Sequence, residues 1–290
     1  MPHRPASQPW RDVLLTALSP MIWGSTYIVT SQLLPPDRPF TAALIRVLPA
    51  GLLLILAGGW IPKRQQWGRL LILSALNIGA FQALLFVAAY RLPGGLAAVM
   101  GACQPLLVMA LAWQVERRPP APLALAASAI GVLGMAALLL SPGSHWDGLG
   151  MLAAMAGAVS MACGTYLTRL WRLPVAIAAL TGWQLTLGGT MLLPLALSID
   201  PPLPTLSMLQ IGSYLYLSLG GALFAYWLWF RGIARLSPVA VTSLGLLSPL
   251  TAVILGWLLL GQALSAQSLM GMIMVLSSVL VVQWRMRGRS

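Results

Sequence analysis

Residues 91–105 read RLPGGLAAVMGACQP, and residues 235–249 read RLSPVAVTSLGLLSP. Arg91-Leu92 is answered by Arg235-Leu236, and Gln104-Pro105 by Ser248-Pro249, at one offset of 144. The same offset carries Gly101 onto Gly245 and Trp113 onto Trp257. Upstream, Trp23-Gly24-Ser25-Thr26-Tyr27 is echoed by Cys163-Gly164-Thr165-Tyr166, with one residue deleted. Each match alone is weak. Together, in the same order, they describe two homologous halves.

What repeats is a set of apolar runs. Of 290 residues, 59% are hydrophobic and 8% are charged, where an ordinary globular protein carries about 25% charged. Five acidic residues cannot help cover the surface of a soluble sphere of this mass. That excludes a soluble enzyme, a disordered chain and a nucleic-acid binder. The +12 net charge does not mark a nucleic-acid partner, because the basic residues punctuate apolar runs instead of forming a patch.

A helix needs about 20 apolar residues to cross a bilayer core. Ten runs meet this, roughly 13–34, 40–60, 69–89, 94–115, 121–140, 147–168, 174–198, 205–230, 237–260 and 266–284. The connectors are short. Pro35-Pro36, Pro119-Pro120 and Pro201-Pro202 are stops between runs. No connector has room for a soluble domain. The first run is too long for a cleavable signal peptide and lacks a small-residue cleavage site, so it reads as the first span. Cys103 and Cys163 lie inside apolar runs and read as small buried hydrophobes, not as a disulfide.

Basic residues set the orientation. With the N-terminus inside, the inner segments hold Arg4, Arg11, Lys63, Arg64, Arg69, Arg117, Arg118, Arg169, Arg172, Arg231, Arg235, Arg285, Arg287 and Arg289, fourteen of the seventeen. The outer segments hold Arg38 and Arg91, and Arg46 lies within a span. This bias places both termini in the cytoplasm. Trp10, Trp60, Trp67, Trp146, Trp171 and Trp284 fall at span ends, where an amphipathic ring prefers the headgroup layer. Five spans per half is an odd number, so the halves run in opposite directions through the membrane, the arrangement of many secondary transporters. The expected fold is therefore all-α and polytopic. Ten transmembrane helices form two inverted five-helix repeats, 1–142 and 143–290, around a central cavity near the midplane.

The residues that carry the repeat also carry a resemblance. Trp23-Gly24-Ser25-Thr26-Tyr27 in the first span resembles the opening of EamA-type carriers of the drug/metabolite transporter superfamily. Ala43-Leu44-Ile45-Arg46 in the second span, the helices of Pro105 and Pro249, and the closing Leu258-Leu259-Leu260-Gly261 fit as well. The resemblance spans nearly the whole chain. It implies two inverted five-helix repeats around a cavity, and is nearest to bacterial amino-acid and metabolite exporters of the YddG kind. One position departs. The family often has an acid after the Leu-Gly pair of the ninth span, and here it is Gln262, so no coupling role carries over to it.

Proton coupling needs a group that titrates inside the membrane. Asp12, Asp37, Asp147 and Asp200 read as span ends or connectors, Glu116 ends the fourth span, and His3 and His145 lie outside the core. The expectation is a facilitator or exchanger without an intramembrane carboxylate. Coupling through Glu116 or a tyrosine is the competing reading. Arg46 lies about six residues from the outer end, ~9 Å deep at about 1.5 Å per residue. It is either a fork for a substrate carboxylate or a partner of a helix end or carbonyl.

Candidate cavity residues are the polar and aromatic ones in mid-span. They are Trp23, Arg46, Asn77, Phe81, Gln82, Gln104, Trp183, Gln184, Tyr226 and Trp227. A mid-span amide must find another helix or a ligand, and aromatic walls suit an aliphatic or aromatic solute. Interhelical packing is the alternative for each. Pro105 and Pro249, at equivalent places in the halves, are candidate gating hinges, with ordinary kinked packing as the other reading. Ala153 and Gly157, four apart, suit close helix packing.

Catalytic motifs are absent: there is no His-Glu-x-x-His, no Walker loop, no paired intramembrane aspartate and no Cys/His metal cluster. No cofactor, metal or nucleic acid is implied, and an intramembrane enzyme is disfavoured because no span offers a base for Ser or Cys. The expected partners are a small-molecule substrate and the lipid bilayer, and one chain suffices as a monomer. The expected role is a bacterial inner-membrane secondary transporter that exports small metabolites, amino acids favoured, by alternating access. Multidrug efflux is the alternative.

Overall fold

The computed structural model describes residues 9–91, 94–117, 119–140 and 147–287. Arg4, Arg118, Arg289, Trp146, His3, His145 and Leu92, named above, lie outside these. The regular structure among the described residues is helical, with no strand. The helices are α1 (Pro9–Leu33), α2 (Pro39–Gly58), α3 (Trp67–Ser74), α4 (Ala80–Arg91), α5 (Gly94–Gly101), α6 (Gln104–Glu116) and α7 (Pro122–Leu139). They continue as α8 (Gly148–Trp171), α9 (Ile177–Ser198), α10 (Met208–Ser218), α11 (Ala225–Arg235), α12 (Pro238–Leu244), α13 (Leu247–Leu260) and α14 (Ala266–Arg287). Two π-helical segments join pairs of them, Ala75–Gly79 between α3 and α4 and Leu219–Phe224 between α10 and α11.

Local chemistry sets many ends. Pro39 opens α2, and Gly59 closes it in the left-handed conformation (φ 59°), donating its N–H to the Ile55 carbonyl. Only a residue without Cβ adopts that φ freely. Asp147 caps α8 by accepting from the Gly150 N–H at 2.6 Å. Ser207 and Gln210 form a reciprocal capping box at the start of α10, satisfying donors that a helix start leaves open.

Nine of the helical stretches are long and apolar enough to cross a membrane, among the described residues. Helix α9, at the expected seventh span, has 22 residues but is not one of the nine. Its glycines, Thr186 and Gln184, which face other helices, dilute its hydropathy. The outer surface is that of a membrane protein. Leu56, Leu152, Leu259 and Ile273 stand 79%, 66%, 66% and 64% exposed, which water would penalise and lipid tails do not.

Packing between helices rests on small residues. Helices α2 and α9 run antiparallel, with Gly51 against Thr186, Gly182 against Leu54 and Gly189 against Leu48. A Cβ on Gly51 would sit 2.5 Å from the Thr186 nitrogen, so the backbones meet because no side chain intervenes. Helices α7 and α14 do the same, with Gly134 against Val275 and Gly131 against Ser278. Adding 144 to Gly131 and Gly134 gives residues 275 and 278, the partners in the crossed order. Gly157 meets Leu84 and Leu85 of α4, and Ala153 packs with Ala88.

The breaks differ from the expectation for Pro105 and Pro249. Neither proline bends the middle of a helix. Pro105 sits in the first turn of α6, after a break at Ala102-Cys103, and Pro249 in the first turn of α13, after Gly245-Leu246. A missing N–H is harmless in a first turn. Both cysteines are free and half-buried, less enclosed than expected.

Candidate solute cavity

One end of the helix assembly is tied shut. Asp12, in the first turn of α1, is buried, and its Oδ1 accepts from Arg231 Nη2 at 2.5 Å and Arg235 Nη1 at 3.4 Å. Thr16 Oγ1 donates to the Asp12 carbonyl at 2.7 Å, and Arg169 donates to the Ala234 carbonyl. The Arg69 guanidinium lies 5.8 Å from the Trp171 ring centre. Asp12 falls at a span end as expected, and its partner Arg231 lies 219 residues away, too far for the pair to show in the sequence.

The other end is open. A cavity of about 760 Å³ runs from mid-bundle to the connector between α1 and α2, within the range of small-molecule sites, about 300–1,000 Å³. Helix α1 contributes Trp23, Thr26 and Thr30, and α2 contributes Arg46. Phe81 and Gln82 come from α4, Met161 from α8, Tyr226 and Trp229 from α11, and Ser248 and Pro249 from the start of α13. Gln104 also lines it. At the mouth, Asp37 and Arg38 lie in the connector. Arg38 Nε donates to the Pro202 carbonyl at 3.1 Å, and the Thr41 N–H donates to Asp200 Oδ2 at 2.5 Å, which ties this rim to the connector after α9.

Two lining side chains are held by the π segment Leu219–Phe224. A π turn is wider than an α turn and frees backbone groups from the regular ladder. The Gly221 carbonyl here accepts from two side chains, Trp23 Nε1 at 2.9 Å and Arg46 Nη2 at 3.1 Å. Arg46 holds a carbonyl, one of the two roles expected for it, and it also lines the cavity. The Trp23 ring centre lies 4.9 Å from Tyr226 and 5.1 Å from Trp229, forming an aromatic wall. Gln82 Nε2 donates to the Tyr226 hydroxyl at 3.0 Å, and both residues are 2% exposed. They stand 144 apart in the chain, the repeat offset, so the two halves meet here through equivalent positions.

Six of the ten candidates, Trp23, Arg46, Phe81, Gln82, Gln104 and Tyr226, therefore come together, and Pro249 joins them. The other four lie elsewhere. Asn77 is fully buried within the first π segment, donating to Thr168 Oγ1 at 3.1 Å and Gln184 Oε1 at 2.8 Å. Asn77 and Gln184 are interhelical links between α3–α4, α8 and α9. Trp183 Nε1 donates to the Trp60 carbonyl at 2.9 Å, and its ring meets Trp67 edge-on at 5.1 Å. Trp227 stacks on Phe224, itself 43% exposed. Pro105 is buried outside the lining.

Trp229 was missed, and a signal for it existed. It stands three residues after Tyr226 and so shares its helix face, whereas Trp227 is turned about 100° away. Thr26, three residues after Trp23, and Ser248, at the repeat offset from Gln104, carried a similar signal, whereas Met161 left none.

Comparison with known proteins agrees with this architecture. The chain matches the EamA-like transporter family over 10–140 and again over 148–284. It is 42% identical to Protein PecM of Dickeya dadantii, across 91% of this chain and 90% of that one. It is 28% identical to the uncharacterized inner membrane transporter YedA of Escherichia coli, across 90% and 87%. It is also 28% identical to a WAT1-related chloroplastic protein of Arabidopsis thaliana, across 90% and 67%. A crystal structure 18% identical superposes with a TM-score of 0.78, covering 97% of this chain and 99% of that one, and so shares the fold. A multi-pass helical chain with a solute-sized cavity, matched in both halves, belongs to the EamA-like transporter family of membrane transporters.

Proposed function

We propose that this carrier exports small neutral or zwitterionic solutes, amino acids above all, across a bacterial inner membrane by alternating access. In this reading the chain has ten spans, α9 included, in two inverted five-helix halves, 1–142 and 143–290, and both termini are cytoplasmic. The observation that carries it is the cavity, open at one end and closed at the other by the Asp12 ion pairs. The crossed contacts of α7 with α14 and the Gln82–Tyr226 bond support the inverted halves. The closed end gathers Arg69, Arg169, Arg231 and Arg235, all assigned inside by charge. The open end carries Arg38 and Asp200. The cavity is thus read as facing outward.

The lining argues the solute class. Arg46 is a single deep cation among aromatic and apolar side chains. Multivalent phosphates would want clustered Arg or Lys, while one guanidinium beside an aromatic wall suits a solute with one carboxylate and an aliphatic or aromatic body. Among the described lining residues the acid is Asp37, at the mouth, which favours facilitation or exchange over carboxylate-based proton coupling.

The test is counterflow in liposomes containing this protein alone, preloaded with unlabelled amino acids and offered labelled phenylalanine, threonine or methionine. Uptake of one or more that ignores an imposed pH gradient is expected. No uptake from folded protein would overturn the amino-acid assignment. Efflux of hydrophobic drugs is the second reading, favoured by the Trp23–Tyr226–Trp229 wall, and would then show as movement of an apolar dye.

A further inference from the structure

The cavity wall holds polar groups that packing does not require. Gln82 is 2% exposed, and its Nε2 is engaged by the Tyr226 hydroxyl. Its Oε1 is buried with no partner in the protein. Trp229 is 1% exposed, and its Nε1 is likewise buried without a partner. Leaving a buried polar atom bare costs stability, and replacing it with an apolar group of similar shape is commonly neutral or better. Both residues line the same cavity. A site with one bare acceptor and one bare donor is complete only when something else supplies their partners.

We propose that Gln82 is a specificity-determining residue, whose amide oxygen accepts a hydrogen bond from an N–H of the bound solute. This rests on the reading of the cavity as the solute site. The Tyr226 hydroxyl takes the amide NH₂ and so leaves the carbonyl end for the solute. Trp229 Nε1 donates to an oxygen on the same solute. The class selected is a small molecule with an amino or amide N–H near an oxygen acceptor, on an apolar or aromatic body. Recognition is by exclusion as much as attraction. A solute without the N–H leaves Gln82 Oε1 bare, and sites of this kind discriminate strongly against the analogue that lacks the group. Gln82 and Tyr226 stand at the repeat offset of 144, so this contact joins the two halves at the cavity wall.

The experiment is competition in the counterflow assay, comparing phenylalanine with 3-phenylpropionate, which lacks the amino group. Wild-type protein is expected to prefer phenylalanine by about tenfold or more. In Gln82→Leu that ratio collapses toward one, while labelled phenylalanine still moves at a reduced rate. A purely structural role would weaken both competitors alike and keep the ratio. A preserved preference in Gln82→Leu, or no preference in the wild type, overturns the proposal and leaves the carrier reading standing. Should wild-type protein carry no amino acid, both fall together. If Gln82→Leu does not insert, Gln82→Met, closer in length, gives the same comparison.

Discussion

Asp12 is the most heavily committed acid in the chain. Its side chain is 4% exposed, and one oxygen serves two arginines, the nearer of which, Arg231, has a side chain 12% exposed. Breaking such a pair from one side strands a buried charge. Asp12→Ala is therefore expected to cost about 3–5 kcal/mol, read as a loss of thermal stability in detergent. Adding Arg231→Leu should recover much of it, because the stranded charge goes too. If the double variant is no more stable than Asp12→Ala, the pairing is not what holds this end. Arg46 makes the opposite kind of residue-scale prediction. Arg46→Lys keeps the charge and loses the planar fork, so counterflow of a carboxylate-bearing solute should weaken by about tenfold with little change in melting temperature. An unchanged concentration dependence would assign Arg46 to holding the Gly221 carbonyl alone.

The elements that matter most are the two π segments and the glycine-lined helix pairs. Ala75–Gly79 and Leu219–Phe224 begin 144 residues apart, so both halves interrupt their helix at the same place. Each interruption lets the following helix present a face that a regular α-helix would turn away. Deleting Ala222 should restore an α-helical turn and rotate α11 by about 100°. Tyr226 and Trp229 would then leave the wall and Trp227 would approach it. Transport is expected to be lost while the protein still inserts and purifies. Retained counterflow would show that the π segment does not set the phase of α11. At the α7–α14 crossing, a Cβ on Gly134 would lie 2.7 Å from the Met274 Cβ and 2.9 Å from the Gly271 carbonyl. Gly134→Val is expected to destabilise by about 1–3 kcal/mol through overpacking, measured as a lowered melting temperature.

For the molecule as a whole, the two ends of the bundle should report different solvents. In a background of Cys103→Ala and Cys163→Ala, Asp37→Cys is expected to react from outside intact cells with a membrane-impermeant maleimide. Thr16→Cys should be silent, since Thr16 is fully buried behind the Asp12 cluster. Labelling of Thr16→Cys from the cytoplasmic side, without labelling of Asp37→Cys, would reverse the assignment of the open face.

Much of the fold was written in the order of apolar and polar residues. The bilayer has no water to satisfy a backbone, so length and hydropathy place nearly every helix within a few residues. The seventh run, α9, falls below the apolar limit because Gly182, Gln184, Thr186 and Gly189 serve neighbours rather than lipid. That Gln82 meets Tyr226, at the repeat offset of 144, emerges only in the structure. The site was legible only in part. Mid-span polarity marks a residue that needs a partner, but does not say whether that partner is a solute or another helix. Asn77 and Gln184 bond to other helices and Trp183 to the Trp60 carbonyl, while Gln82 and Trp229 line the cavity. Sequence by itself marked the apolar helical runs and their repeat, because both follow from the order of residues along the chain, and its short motifs carried the family resemblance. Which side chains share the cavity, and that Asp12 closes the far end, only the tertiary structure decided, because helix phase across a π turn and contacts over two hundred residues depend on how the helices pack.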